Sequence, residues 1–135
     1  MSELMRYISN QDGPEENFAL GLWYDQMGHT AAAAGFYTRA CEYTQDTLLV
    51  YEALCRTANC FTRQGSRVFL TKGIFLRAIS VRPERPEAYF LLSQLYETSR
   101  DWQEAFCFAK MGQQLRCDGL QPLRTSVGYP GPYGF

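Results

Sequence analysis

An all-α fold, a right-handed stack of three helical hairpins, follows from three features of this chain. In the stretch from Pro83 to Gly119, small and aromatic residues recur at steps of three and four on both sides of a short turn. Tyr89, Leu92, Ser93 and Tyr96 precede the turn and Trp102, Ala105, Ala109 and Gly112 follow it, the period of an amphipathic helix face. Helix-stopping residues at Gly13, Gly28, Gly65 and Pro83 divide the rest of the chain into segments of helical length. The first hairpin then returns in the last: Leu20, Gly21 and Tyr24, followed by Gly28, Ala33, Tyr37 and Ala40, match Leu92, Ser93 and Tyr96, followed by Arg100, Ala105, Ala109 and Gly112. The offset of about 72 residues equals two units of about 34 plus roughly four, placed near residue 47 and in the turn at 64–66.

Taken in order, residues 2–9 suit a short helix, and residues 1–13 form an N-terminal segment. Pro14 starts the first long helix, where its missing amide costs nothing, and Glu15 and Glu16 complement the dipole there. That helix runs to about Met27. Gly28 supplies the left-handed stop, Thr30 is expected to cap the next helix, and Ala33, Tyr37 and Ala40 mark its packing face. Asp46 or Thr47 caps the third long helix, whose face is Tyr51, Leu54, Ala58 and Phe61. Gly65 ends it, Ser66 is expected to cap the fourth with a face of Val68, Thr71, Phe75 and Ala78, and Pro83 forbids further propagation. Pro86 opens the fifth. Asp101 and Glu104 are spaced as a capping box for the sixth, which Asp118 and Gly119 close. The repeat domain thus covers 14–119, in units of about 14–47, 48–85 and 86–119, and 120–135 forms an extended tail rich in Gly, Pro and Tyr.

A chain of 135 residues and 15.5 kDa fits one domain. Aromatic residues at 15% exceed what a plain helical bundle needs, and such side chains want pockets or partners. No apolar run reaches the roughly 18 residues of a membrane span, and residues 1–11 lack the pattern of a signal peptide. The expectation is a soluble, cytoplasmic protein with no membrane partner. The five cysteines, at 41, 55, 60, 107 and 117, give no disulfide framework and no zinc-ligand spacing, and read as buried free thiols. The net charge of -1 conceals an asymmetry. Residues 1–47 are acidic, whereas 48–85 carry Arg56, Arg63, Arg67, Lys72, Arg77, Arg82 and Arg85 against Glu52 and Glu84 alone.

The pattern resembles the tetratricopeptide repeat over roughly residues 14–119. It is carried by Leu20, Gly21, Tyr24, Gly28, Ala33, Tyr37 and Ala40, by Ala58, Phe61, Phe75, Ala78 and Pro83, and by Tyr89, Leu92, Ser93, Tyr96 and Ala105. Asn17 replaces the aromatic or leucine that usually opens the first unit, Thr71 a small residue of the second, and Arg100 the turn glycine of the third. Residues 75–112 are also similar to the helical repeat region attached to certain family 2 glycosyltransferases. The catalytic half of such an enzyme is absent here, which makes an accessory domain the role that likeness implies.

His29, in the first hairpin's turn, has no base or nucleophile placed to act with it, and no glycine-rich phosphate loop occurs. No enzymatic activity and no cofactor or metal are expected. Arg56, Asn59 and Arg63 recur at three and four on the helix expected to line the concave face of the middle hairpin. They either receive an anionic group there or form a solvated face whose charges balance Glu52. In the first unit the corresponding positions are Phe18 and Leu22, and in the third Glu87 and Leu91. These do not make the Lys and Asn clamp that some such repeats use for acidic chaperone C-termini. The groove instead fits a protein or extended peptide with apolar anchors and an acidic centre, and a sequence pI near 5.8 makes nucleic acid a poor partner. The tail either is disordered or docks Tyr129, Tyr133 and Phe135 into a groove of its own or another copy. The missing polar cap after the last hairpin implies self-association or a longer chain. The leading expectation is a non-catalytic interaction or assembly scaffold; the alternatives are an accessory domain of a glycosyltransferase system and a structural subunit of a larger particle.

Overall fold

The computed structural model describes residues 2–65, 67–125 and 127. Seven helices, and no strand, occur among the described residues: α1 (Ser2–Ser9), α2 (Pro14–Gln26), α3 (Thr30–Tyr43), α4 (Thr47–Gln64), α5 (Val68–Val81), α6 (Glu87–Thr98) and α7 (Trp102–Gln113). The pairs α2/α3, α4/α5 and α6/α7 form three antiparallel hairpins stacked in chain order as a solenoid. Helix α1 lies against the first, where Tyr7 meets Phe36 edge-on at 5.4 Å and accepts a hydrogen bond from Arg39 at 3.0 Å.

Small residues set the approach of the helices. Gly21 on α2 faces the ring of Tyr37 on α3, and a methyl group at position 21 would lie 2.8 Å from that ring. Ala33 and Tyr37 are fully buried and Ala105 is 6% exposed, so the positions that define the repeat are packing positions. One apolar cluster joins Phe18, Ala33, Tyr37, Ala40, Leu49 and Ala53 across α2, α3 and α4. A second joins Tyr51, Leu54, Phe75, Ala88 and Leu92 across α4, α5 and α6, and extends to Leu123 and Val127 beyond the last helix. The unusual Asn17 is buried at the start of α2, where its amide donates to the carbonyls of Gln11 (3.0 Å) and Gly13 (2.8 Å). A polar side chain therefore ties down the α1–α2 connection where the repeat usually places an apolar one.

Several helix ends differ from the expected chemistry. Asp46 does cap α4, accepting from the Leu48 amide at 3.0 Å, and Gly65 ends that helix with φ 76. Thr30, however, is the first residue of α3, and His29 holds the cap position without a side-chain cap bond. The Asp101–Glu104 capping box is not formed. Arg100 adopts φ 61, the left-handed conformation that a glycine would supply, and this turn directs the Asp101 amide to the Tyr96 carbonyl at 2.9 Å. No donor is left for Glu104, and the Asp101 carboxylate turns to Lys72 on α5 at 3.6 Å. Helix α7 ends at Gln113, short of Asp118 and Gly119. Trp102, expected on the packing face, is 62% exposed, and Val68 is 38% exposed. The expected cap residue Ser66 lies outside the described residues.

Candidate peptide-binding groove

Helix α4 presents Glu52, Arg56, Asn59 and Arg63 at steps of four, three and four, which places them along one side of the helix. The three residues expected to act together do share this stripe. Asp25, near the end of α2, is the unforeseen member. Its carboxylate lies 3.8 Å from Arg56 Nη1, bonds Arg63 Nη2, and accepts from the Tyr37 hydroxyl at 2.8 Å. Burial, and then that hydrogen bond, push the Tyr37 phenol far above its ordinary value. Both groove arginines are thus already paired.

The chain itself lies in the groove. After α7 the backbone returns so that residues 121–125 and 127 cross α4 and the start of α6. Glu52, fully buried, accepts hydrogen bonds from the backbone amides of Arg124 and Thr125, each at 2.9 Å, and from the Thr125 hydroxyl at 3.0 Å. Arg56 Nε donates to Thr125 Oγ1 at 3.1 Å, and Asn59 Nδ2 donates to the carbonyl of Val127. At the other end, Arg85 Nη1 donates to the Gln121 carbonyl at 2.6 Å. Arg85 itself is buried beside Glu87, with Nη2 2.9 Å from the carboxylate, and Tyr51 bonds the same carboxylate at 3.2 Å. Arg124 pairs with Glu15 and lies 6.0 Å above the ring of Phe18.

The remaining expected positions are distributed as follows. Phe18 is 1% exposed and packs on Tyr37 at 5.4 Å, so its ring is part of the groove's wall rather than a free anchor. Leu22 is half-buried and, with Asp25, Gln26, Arg56 and Thr125, lines an open pocket of about 290 Å³ beside the bound segment. Leu91 is 6% exposed and Glu87 1%. Tyr129, Tyr133 and Phe135 lie outside the described residues. His29 meets Tyr24 edge-on at 6.1 Å. Cys55 and Cys60 are buried and Cys41 half-buried, and burial pushes the thiols of Cys41 and Cys60 up to about 11, whereas Cys107 is exposed and Cys117 half-buried. Among the described residues no cluster of three His, Cys, Asp or Glu is placed to hold a metal ion, and no helix is long and apolar enough to cross a membrane.

Asp25, Glu52 and the main chain of 124–125 are the members of the candidate site that sequence reasoning missed. The available signal was position: Glu52 precedes Arg56 by four residues and so belongs to the same stripe.

Comparison with known structures bears on this architecture. The chain is similar to MamA, in a crystal structure, with a TM-score of 0.71 at 18% identity over 80% of this chain and 61% of that one. A structure described as MamA MSR-1 C2 gives a TM-score of 0.68 at 18% identity, over 83% of this chain and 62% of that one. The fold is a tetratricopeptide-type helical repeat. The chain spans about three fifths of the length of either MamA chain. No family model and no curated protein matches it. At this identity the likeness establishes the repeat architecture alone.

Proposed function

We propose that this chain is a non-catalytic protein-interaction scaffold that holds a peptide or protein segment in its concave groove. The observation that supports this reading is the manner in which Glu52, Arg56 and Asn59 grip residues 124–127: backbone amides, a backbone carbonyl and one hydroxyl are bonded, groups that an external peptide also offers. Peptide recognition gains affinity from such main-chain bonds and specificity from the flanking side-chain pockets. Asp25 already pairs with Arg56 and Arg63, so an acidic centre is not what this part of the groove selects in a partner. The test is capture of partners on the intact chain, compared with Asn59→Ala and Arg63→Glu. Arg63 has a side chain 48% exposed, so its replacement leaves the fold intact by circular dichroism. Loss of the captured protein with both variants is expected, and capture that is indifferent to them removes the groove from the reading.

A second reading, assembly into a larger particle, is favoured by apolar side chains left open on the second helices of the last two hairpins. Phe69 on α5 is 89% exposed, and Trp102 and Phe106, one turn apart on α7, are 62% and 66% exposed. The accessory role beside a glycosyltransferase rests on the likeness of residues 75–112 and requires a catalytic part supplied from elsewhere.

A further inference from the structure

We propose that residues 121–127 are a resident occupant of the groove that a partner must displace. The partner this implies is a segment that bends at its basic and hydroxyl positions, of the form aliphatic, basic, hydroxyl, any residue, aliphatic, as in Leu123, Arg124, Thr125, Ser126 and Val127. This deepens the scaffold reading and rests on it.

The charges around the segment set the basic position. Asp25, Glu15 and Glu52 together outnumber Arg56 and Arg63 by one charge, and Glu15 and Glu52 are the carboxylates beside Arg124. Its guanidinium pairs with Glu15 and comes within 3.7 Å of Glu52, with the Phe18 ring beneath it. The hydroxyl position follows from Thr125 Oγ1, which donates to Glu52 and accepts from Arg56 at once. A hydroxyl does both; a methyl or a carboxylate does not. The aliphatic positions are those of Leu123, packed against the α4–α5–α6 core, and Val127, fully buried in it. Glu52 decides that the ligand is a main chain that bends here, because its two oxygens accept from two consecutive amides, which point to opposite sides in an extended strand. A buried carboxylate without such donors is costly, so the groove is built around an occupant.

Two features make the resident segment displaceable. Val127 holds φ 49, a left-handed conformation that strains a β-branched residue. The pocket lined by Leu22, Asp25, Gln26 and Arg56 is left open beside Thr125. A partner without the strained residue, or with a side chain for the pocket, gains contacts that this segment lacks.

The test uses a fluorescein-labelled peptide of residues 121–127, QPLRTSV, titrated by anisotropy into the full chain and into the full chain carrying Arg124→Glu and Thr125→Asp. The variant's own segment is repelled by Glu15 and Glu52. A tethered segment competes at an effective concentration of about 1 mM, so the peptide is expected to bind the variant roughly 10- to 100-fold more tightly than the unaltered chain. Adding Glu52→Gln should remove that gain. Equal tight binding to both chains overturns the resident occupant, and tighter binding of the acidic peptide QPLETSV to the variant overturns the basic position. Amide hydrogen exchange on the unaltered chain is a second measurement that needs no variant. Protection at Arg124 and Thr125 is expected, and exchange at the rate of an unfolded peptide refutes occupancy. If no peptide binds either chain while partner capture still depends on Asn59 and Arg63, the displacement proposal falls and the scaffold reading stands; if capture ignores those residues too, both fall.

Discussion

Two glycines of the first hairpin should respond in opposite ways to the same substitution. Both Gly21 on α2 and Gly35 on α3 are in helix interiors, where replacing glycine by alanine contributes about 0.8–1.0 kcal/mol from propensity alone. At Gly35 nothing lies within 4 Å of the added methyl, so Gly35→Ala should stabilise by about 1 kcal/mol. At Gly21 the methyl would meet Tyr37 Cδ1 and Cε1 at 2.8 Å and the Ala33 carbonyl at 3.4 Å. The Tyr37 ring has no room to yield, since it is fully buried, packs on Phe18, and its hydroxyl is held by Asp25 at 2.8 Å. Overpacking of this kind costs about 1–3 kcal/mol. Subtracting the propensity gain leaves Gly21→Ala destabilised by about 1 kcal/mol, and the two variants separated by about 2 kcal/mol. In a chain of this size that separation is about 6–8 °C in Tm. Urea unfolding with equal m-values, together with thermal melts followed by circular dichroism, measures it. A Gly21→Ala variant as stable as Gly35→Ala would refute the claim that Gly21 sets the α2–α3 approach.

Two further outcomes follow from the backbone and the buried protons. Arg100 holds φ 61 in the exposed turn between α6 and α7; Arg100→Gly should stabilise by about 0.5–1 kcal/mol in urea unfolding while Arg100→Ala gives no gain, because only glycine takes this conformation freely. The thiols of Cys55 and Cys60 and the phenols of Tyr37 and Tyr51 are all raised, chiefly by burial, from their ordinary values of 9.0 and 10.0. Their contribution is therefore complete below pH 9 and lost as pH rises above the unfolded values, by about 1.4 kcal/mol per pH unit for each group. Under reducing conditions the urea midpoint should fall from pH 9 to 11, and a flat profile across that range would contradict the burial of these groups.

Legibility in the sequence followed the range of the interaction. The helices were readable because glycine and proline punctuate them locally, and the repeat register was readable because Gly21, Ala33 and Ala105 are small for a reason confined to one hairpin. The stripe of Arg56, Asn59 and Arg63 was visible as helical spacing. Its electrostatic sign was not, because Asp25 reaches it from another helix, and the basic excess of residues 48–85 is matched by partners at a distance in sequence as well as nearby. Lys72 pairs with Asp101 across hairpins, while Arg82 pairs with Glu84 and Arg85 with Glu87. The capping box at Asp101 failed for the same kind of reason: the spacing was present, but the left-handed Arg100 had already committed the amide. Least visible was the segment in the groove. Four of its hydrogen bonds, at Gln121, Arg124, Thr125 and Val127, are made by main-chain amides and carbonyls, which carry no mark in the sequence.

The groove's energetics are consequently those of an exchange rather than of filling an empty site. Every contact that orders residues 121–127 is one that an incoming segment must remake, including the two amides on Glu52 and the carbonyl on Asn59. A partner that reproduced those bonds and nothing more would gain no advantage over the tethered copy, because ligands shift such an equilibrium only by their difference in interaction with the two states. Selectivity must therefore come from what the resident segment leaves unused, the pocket between Leu22 and Arg56 and the strain at Val127. On this argument the tail sets the threshold that a partner has to exceed, and the side chains on the groove's α2 wall determine which partners exceed it.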